Sequence, residues 1–137
     1  MPVTTDPTVI GREIEALVSR AIRETVIEAT ANLIEATPVD TGWARANWIP
    51  AIGWARFGAT SHGSHSSVAP AMAAQHSGLA SMLSYRLARG PAWISNHVPY
   101  VGRLDGGWSN QAPAGFVRVA LARAVQTIQA RIAGWRP

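Results

Sequence analysis

Apolar residues recur every three to five positions through the first third of the chain, which is typical of a helix with one buried face. The repeating positions are Ile10, Ile14, Leu17, Ala21, Val26, Ala29 and Leu33. Thr5-Asp6-Pro7 supplies a capping residue followed by a first-turn proline. Pro38 disfavours helical geometry at the residue before it. The pattern therefore predicts a helix from about residue 7 to residue 36.

Two segments in the middle of the chain have strand character. Residues 43–54, WARANWIPAIGW, contain three Trp, and Pro50 among them indicates an edge strand or a bulge. Residues 92–98, AWISNHV, form the second candidate strand. Residues 57–78 are rich in Gly, Ser, His and Ala and have almost no large apolar side chain. This composition predicts a long flexible loop.

Two more helices are expected in the second half of the chain. Residues 79–90 favour a short helix ended by Gly90-Pro91. A second long helix is predicted to open at Pro113 and to end at Gly134, because apolar residues again recur at helical spacing from Phe116 to Ile132. At 137 residues the chain has the length of one domain, and we expect residues 1–137 to form a single one.

Charge is divided unevenly along the chain. Residues 1–40 hold seven acids and three Arg, a net charge of −4, whereas residues 41–137 hold Asp105 and nine Arg, a net charge of +8. One interpretation is that Glu24 and Glu28, on the acidic helix of one copy, meet an Arg-rich face on the next. An Arg-rich translation of a GC-rich genome explains the bias equally well. A DNA-binding surface is a third alternative, although no dense Arg cluster supports it.

Two missing residue types exclude several chemistries. The chain has no Cys, which excludes disulfides and thiolate-rich metal sites, and all twelve basic residues are Arg. Without Lys there is neither a P-loop nor Schiff-base chemistry. The first thirty residues carry five acids, so we expect no signal peptide or membrane anchor. No apolar run approaches the roughly 20 residues that span a bilayer.

Asp40-Thr41-Gly42 has the form of an aspartic protease catalytic loop. In that fold the loop lies between strands and the residue after Gly is small, whereas here a periodic helix precedes it and Trp43 follows. We therefore expect a tight turn in which Asp40 and Thr41 bond backbone groups while Gly42 takes a positive φ. No G-x-S-x-G elbow is present, and we expect no catalytic residue.

Histidines are the remaining candidates for metal chemistry. His62 and His65 lie three residues apart in the predicted loop, and His76 belongs to the same loop. They would hold a metal only with further ligands, and acids are nearly absent after residue 40. We expect neither a metal nor another cofactor. The six Trp residues fit core or interface anchors better than a stacking surface for nucleic acid.

Two blocks of the sequence resemble the phage tail-completion family, the neck and minor tail proteins similar to lambda minor tail protein Z. The first block, TPVDTGWARANW, is similar to that family's P-V-D-T-G-x-L-R-x-S-W. The second block, WISNHVPYVGRLDGGWSNQAPAGFVRVAL, is similar to its I-x-N-x-x-P-Y-A-x-x-L-E-x-G-x-S-x-Q-A-P-x-G-M-V-R. Departures are Trp43, Ala44, Val101, Asp105 and Phe116. The motif residues that the resemblance marks as structural are Asp40, Thr41, Gly42, Arg45, Trp48, Asn96, Pro99, Tyr100, Gly107, Gln111, Pro113, Gly115 and Arg118.

The resemblance implies a structural virion protein and not an enzyme. Members of this family form or join a ring, a hexamer by resemblance, at the head–tail junction of long-tailed phages and related gene-transfer particles. DNA passes through the ring without sequence-specific contacts. The implied partners are neighbouring neck, connector or tail-tube proteins, with assembly in the bacterial cytoplasm and no membrane. The implied fold is α+β and similar to tail terminators, a small, mostly antiparallel sheet packed by the two long helices.

Alternatives remain within this class and outside it. A tail terminator that caps the tube and a stopper below the portal are the alternatives within it, and a basic nucleic-acid-binding module is the alternative outside it.

By resemblance, Gln111 to Pro113 start the last helix, with Pro113 at its first position and Gly115 allowing close packing.

Overall fold

Residues 6–39, 42–60 and 67–135, as described by a computed structural model, form an α+β fold. A long N-terminal helix packs against a C-terminal helix beside a small antiparallel sheet, which confirms the predicted fold class. The elements are α1 (Pro7–Ala36), α2 (Trp43–Ala46), β1 (Ile49–Ile52), α3 (Ala69–Met82), a 3₁₀ turn (Leu87–Arg89), β2 (Ala92–Ser95), α4 (Val101–Asp105) and α5 (Phe116–Ile132). No helix in these ranges is long and apolar enough to cross a membrane.

Helix α1 has the boundaries that the sequence predicts. The Asp6 side chain accepts a hydrogen bond from the Thr8 backbone N–H at 2.9 Å, and Pro7 occupies the first turn. At the other end Thr37 is extended, as expected for a residue before proline. Thirty residues give the helix a length of about 45 Å.

The sheet consists of β1 and β2, paired antiparallel with Ile49 opposite Ser95. The Gly53 backbone N–H bonds Pro91 O beyond the strands. Bonded pairs alternate along an antiparallel ladder, so Pro50, three residues before Gly53, faces the outer edge of β1. Its missing N–H therefore costs no ladder bond, which confirms the edge strand.

Helix α3 shows that the loop predicted over residues 57–78 is wrong from Ala69 onward. The segment lacks large apolar side chains because α3 packs very closely against β1. Ala71 is fully buried, and a methyl group at Gly78 would overlap the carbonyl oxygen of Pro50. Ala-rich sequence has high helix propensity without apolar periodicity, so its composition resembles that of a loop.

Three other predicted boundaries differ from the structure. The strand predicted over residues 43–54 is divided between the short helix α2 and β1. The helix predicted over 79–90 consists of the end of α3 and the separate 3₁₀ turn. The last helix begins at Phe116 and not at Pro113. At two of these boundaries a bond to another segment is present: Leu87 N–H donates to Ser19 Oγ of α1 at 2.9 Å, and Val117 N–H donates to Asp105 Oδ1 at 3.0 Å.

The core lies along α1 in two clusters. One cluster is built on Val26, Met82 and Tyr85, and the other on Leu33, Trp48 and Ala120; Ile94 of β2 packs against both. Helix α5 runs antiparallel to α1, as shown by three groups of contacts. Asn32 Nδ2 donates to Ala120 O at 3.1 Å, Arg131 pairs with Glu24 and Glu28 at 3.6 and 3.5 Å, and the Arg20 guanidinium lies 4.1 Å from the Trp135 ring centroid.

Candidate functional site

The two sequence blocks, residues 37–48 and 93–121, touch each other, and we call this region the block contact. Its centre is Gln111, which bonds both backbone groups of Val39. The Gln111 amide oxygen accepts from Val39 N–H at 2.9 Å, and its amide nitrogen donates to Val39 O at 2.9 Å. A Gln side-chain amide has an oxygen that accepts and an NH₂ group that donates. The Gln111 side chain can therefore bond both backbone groups of Val39, as a residue of a neighbouring strand would. The residue at position 111 thus holds the turn after α1 against the segment before α5.

A second pair of contacts joins the blocks at α2. Asn96 Nδ2 donates to Ala44 O at 2.8 Å, and its Oδ1 accepts from Val98 N–H at 3.1 Å. The Trp43 and Tyr100 rings lie 5.7 Å apart and tilted by 60°, within the range of favourable aromatic pairs. These contacts fix α2 on the chain that follows β2.

Arg45 and Trp48 fasten the end of α1. Arg45 Nη2 donates to Thr37 O at 2.9 Å, and Trp48 Nε1 donates to Thr37 Oγ1 at 2.7 Å. A cation at a helix C-terminus also interacts favourably with the helix dipole. Gln75 of α3 bonds the backbone carbonyls of Arg45 and Trp48 at 3.1 and 3.0 Å. The first block therefore connects α1, α2 and α3.

The second block builds the start of α5 differently from the expectation. Asp105 Oδ1 accepts from Val117 N–H at 3.0 Å, and Asp105 O accepts from Gly115 N–H at 2.7 Å. Asp105 thereby supplies the side-chain cap that the residue preceding the helix lacks. Gly115 has φ 80°, and a methyl group there would meet nothing within 4 Å, so its backbone conformation and not close packing requires glycine. Pro113 lies before the helix and not at its first position.

Within the described residues, the remaining motif residues and candidate histidines do not form one site. Gly42 has the predicted positive φ, at 84°, whereas Asp40, Thr41, His62 and His65 lie outside the described residues. Gly107 also has positive φ, at 91°, and packs against Ala114. The exposed members of this set are His76, Pro99, Gly107, Gln111, Pro113 and Arg118. His76 lies in α3 and not in a loop.

Glu24 and Glu28 are used within the chain. Glu24 pairs with Arg20 at 3.0 Å and with Arg131 of α5, which also reaches Glu28. The acidic face of α1 therefore meets an Arg of the same chain. These pairs are partly exposed, and such pairs contribute about 0–1 kcal/mol each. The role predicted for Glu24 and Glu28 in binding a neighbouring copy stays a prediction.

Three exposed aromatic residues lie on the sheet or just after it, and two of them, Trp54 and Trp93, are among the six Trp that the sequence marks as core or interface anchors. The side chains of Trp54 and Phe57, just after β1, are 83% and 90% exposed, and Trp93 on β2 is 43% exposed. The Trp93 indole N–H bonds the carbonyl oxygen of Gly53, the residue before Trp54 in the chain, at 3.1 Å. A signal was present in the sequence, because GWARFG puts two aromatic residues in an otherwise polar, glycine-bounded segment. We call Trp54, Phe57 and Trp93 the aromatic patch.

The described residues contain no group of three or more His, Asp or Glu that could hold a metal ion. The block contact joins the five helices α1 to α5 and the turn after α1 through side chain–backbone hydrogen bonds. No protein-family model, curated protein or solved structure matches the chain.

Replacing Gln111 with Glu should lower the free energy of unfolding by about 1 kcal/mol, because the carboxylate loses the bond to Val39 O and lies against that oxygen. Urea unfolding followed by circular dichroism measures the change. Gln129→Glu, at an exposed position of α5, is the matched control and should stay within about 0.5 kcal/mol. Equal losses in both variants would show that the Gln111 bonds do not stabilise the block contact.

Proposed function

We propose that the protein is a structural virion component of the head–tail junction of a long-tailed phage or gene-transfer particle. One observation carries the proposal. The two blocks that resemble the tail-completion family, 72 residues apart at Val39 and Gln111, form one connected framework. A coincidental resemblance of two unrelated segments would not require their matching residues to bond each other. The contact between matching residues of the two blocks supports the proposal.

The aromatic patch supports an assembly role. Large aromatic side chains are frequent anchors of protein–protein interfaces. The side chains of Trp54 and Phe57 bury little apolar surface within their own chain, because they are almost wholly exposed. In the proposed setting, the patch faces a neighbouring neck, connector or tail-tube protein. The protein itself forms or joins a ring through which DNA passes.

The α+β arrangement is compatible with more than one place in the neck. A small antiparallel sheet packed by helices is what the resemblance implies for tail-completion proteins and for tail terminators alike. A terminator that caps the tube, or a stopper below the portal, is accordingly the alternative role within the proposal. Fold alone does not assign a function, so the position in the particle must be measured.

A DNA-binding module is the second candidate, and a basic pocket favours it. Arg12, Arg23 and Arg86 line a cavity of about 320 Å³ together with Glu15, and none of the three Arg makes an ion pair within the described part of the chain. Arg side chains suit phosphate oxygens. Tight binding of the free protein to duplex DNA that weakens steeply with salt would favour this candidate over the neck.

Disrupting the gene in the phage or prophage that encodes it tests the proposal. We expect filled heads and free tails to accumulate separately, because a missing neck component leaves both structures complete but unjoined. Electron microscopy of lysates counts the joined and unjoined particles, and expression of the protein from a plasmid should restore joining. Normal infectious particles from the disrupted strain would refute the proposal.

A further inference from the structure

The face of α1 that carries α5 continues beyond the end of α5. Asn32 and Glu28 of α1 contact α5, and among the residues that the structure describes the last such contact is Arg20 beside Trp135. Eighteen residues correspond to about five full helical turns. Ile14 and Ile10 therefore lie on the same face as Asn32 and Glu28, but past the point where α5 stops.

This continuation is an exposed apolar stripe. Ile10, Ile14 and Val18 are 37–56% exposed, and they lie one turn apart along the first half of α1. We call these three residues the α1 stripe. In the second half of α1 the equivalent face is covered by a helix, so the stripe has the geometry of a helix-packing surface without its helix.

Helix α5 carries a matching stripe on its outer side. Leu121, Val125 and Ile132 are 40–45% exposed and fall on one line of the helix, at spacings of four and then seven residues. They flank the buried face formed by Ala124 and Ile128. We call Leu121, Val125 and Ile132 the α5 stripe. It spans about 17 Å along α5, enough to cover the α1 stripe, which spans about 12 Å.

We infer that the α1 stripe of one copy packs on the α5 stripe of a second copy, so that the neighbour's α5 continues the layer that the chain's own α5 begins. Charge favours this pairing over pairing of two α1 stripes. Glu13 lies beside the α1 stripe and Arg118 beside the α5 stripe, and neither makes an ion pair with a described residue. Two α1 stripes facing each other would instead bring two copies of Glu13 to one seam.

This contact uses the α1 stripe of one copy and the α5 stripe of the other. Each copy of a pair therefore keeps one unused stripe, to which a further copy can bind. Repetition of a contact of this kind closes into a ring or grows as a filament. This inference rests on the proposed function for the choice of a ring, whereas the contact itself rests on the two stripes. It also assigns Arg118, an exposed residue of the second sequence block, to the interface between copies.

Site-directed cross-linking tests the contact cleanly because the chain has no Cys. Purified full-length Ile14→Cys and Val125→Cys proteins are mixed at high concentration and treated with a short thiol-reactive cross-linker. Within one chain the two positions are about 20 Å apart, judged from the antiparallel packing and the helix rise, so a short linker cannot join them. We expect a covalent dimer in the mixture and only background in either variant alone. Melting curves check that both exposed substitutions leave the fold intact.

Two outcomes would overturn the contact. One is a mixture that gives no more dimer than Leu83→Cys mixed with Val125→Cys, since Leu83 is more exposed than Ile14, at 68% against 56%, but belongs to neither stripe. The other is a dimer of Ile14→Cys alone, which would mean that two α1 stripes meet. Cross-linking of a single chain that carries both Ile14→Cys and Val125→Cys tests the ring separately from the contact. A ladder of products that ends at one size supports the ring, whereas an unlimited ladder supports the contact and refutes the ring.

Discussion

Replacing Gly78 with Ala is expected to lower the free energy of unfolding by about 3 kcal/mol, the upper part of the range for overpacked cores. The added methyl group would overlap the Pro50 carbonyl oxygen and lie 3.1 Å from Pro50 Cδ. Both are parts of β1 that cannot turn aside as a flexible side chain does. Relief therefore requires α3 to move away from the strand, which loosens the burial of Ala71 and Met82 as well.

Gly11→Ala is the matched control for this prediction. Gly11 lies in α1 with no atom of another segment within 4 Å of an added methyl group. The same substitution should there stabilise the protein by up to about 1 kcal/mol, because Ala has the higher helix propensity. Urea unfolding of both variants gives the comparison, provided that unfolding is two-state. A neutral or stabilising Gly78→Ala would contradict the close packing of α3 on β1.

Leu33→Ala is expected to lower the free energy of unfolding by about 3 kcal/mol, within the range measured for buried Leu. The Leu33 side chain is 1% exposed and packs in one cluster with Trp48 and Ala120. Its removal leaves a cavity where α1, the first sequence block and α5 meet. Because Trp48 is also held by its bond to Thr37, the site cannot easily collapse to fill the space.

Leu83→Ala removes the same atoms from a side chain that is 68% exposed. It should change the free energy of unfolding by no more than about 0.5 kcal/mol, as is usual for surface positions. Thermal and urea unfolding of the pair measures the difference between the two sites. Similar losses at both positions would show that the α1–α5 cluster is not a packed core.

The sequence predicts an element well where local signals agree. For α1, the cap at Asp6, the apolar period and Pro38 all point to the same boundaries, and the helix has them. For helix α3 the local signals do not agree. Where its backbone approaches β1 closely, Ala and Gly stand in place of the large apolar residues that would mark a buried helix face. The tight contact between Gly78 and Pro50 joins residues 28 apart, and no local pattern announces it.

The same limit applies to the block contact. Gly42 is predictable as a positive-φ glycine from its turn sequence, and its φ is 84°. The bonds between Gln111 and Val39 span 72 residues and follow from neither periodicity nor charge. The pairing of Arg131 with Glu24 and Glu28 likewise joins residues about 100 positions apart and follows from no local pattern. That Glu24 and Glu28 also contact a neighbouring copy stays a prediction.

The structure gives the first half of α1 a different role from the second. From Ser19 onward α1 forms the core, whereas before it the helix carries Ile10 and Ile14 into solvent. Exposed apolar stripes of this kind often mark interaction sites. The α1 stripe, the α5 stripe and the aromatic patch are three exposed apolar surfaces, and the proposed position between other subunits would cover them.

Locating the protein in purified particles tests the central claim most directly. A tagged copy that restores joining in the disrupted strain is imaged by electron microscopy with gold-labelled antibody, and the neck is reconstructed. The account predicts label and a ring of density at the head–tail junction, with none along the tail tube or in the head. Particles that lack the protein, or that carry it along the whole tail, would contradict the account.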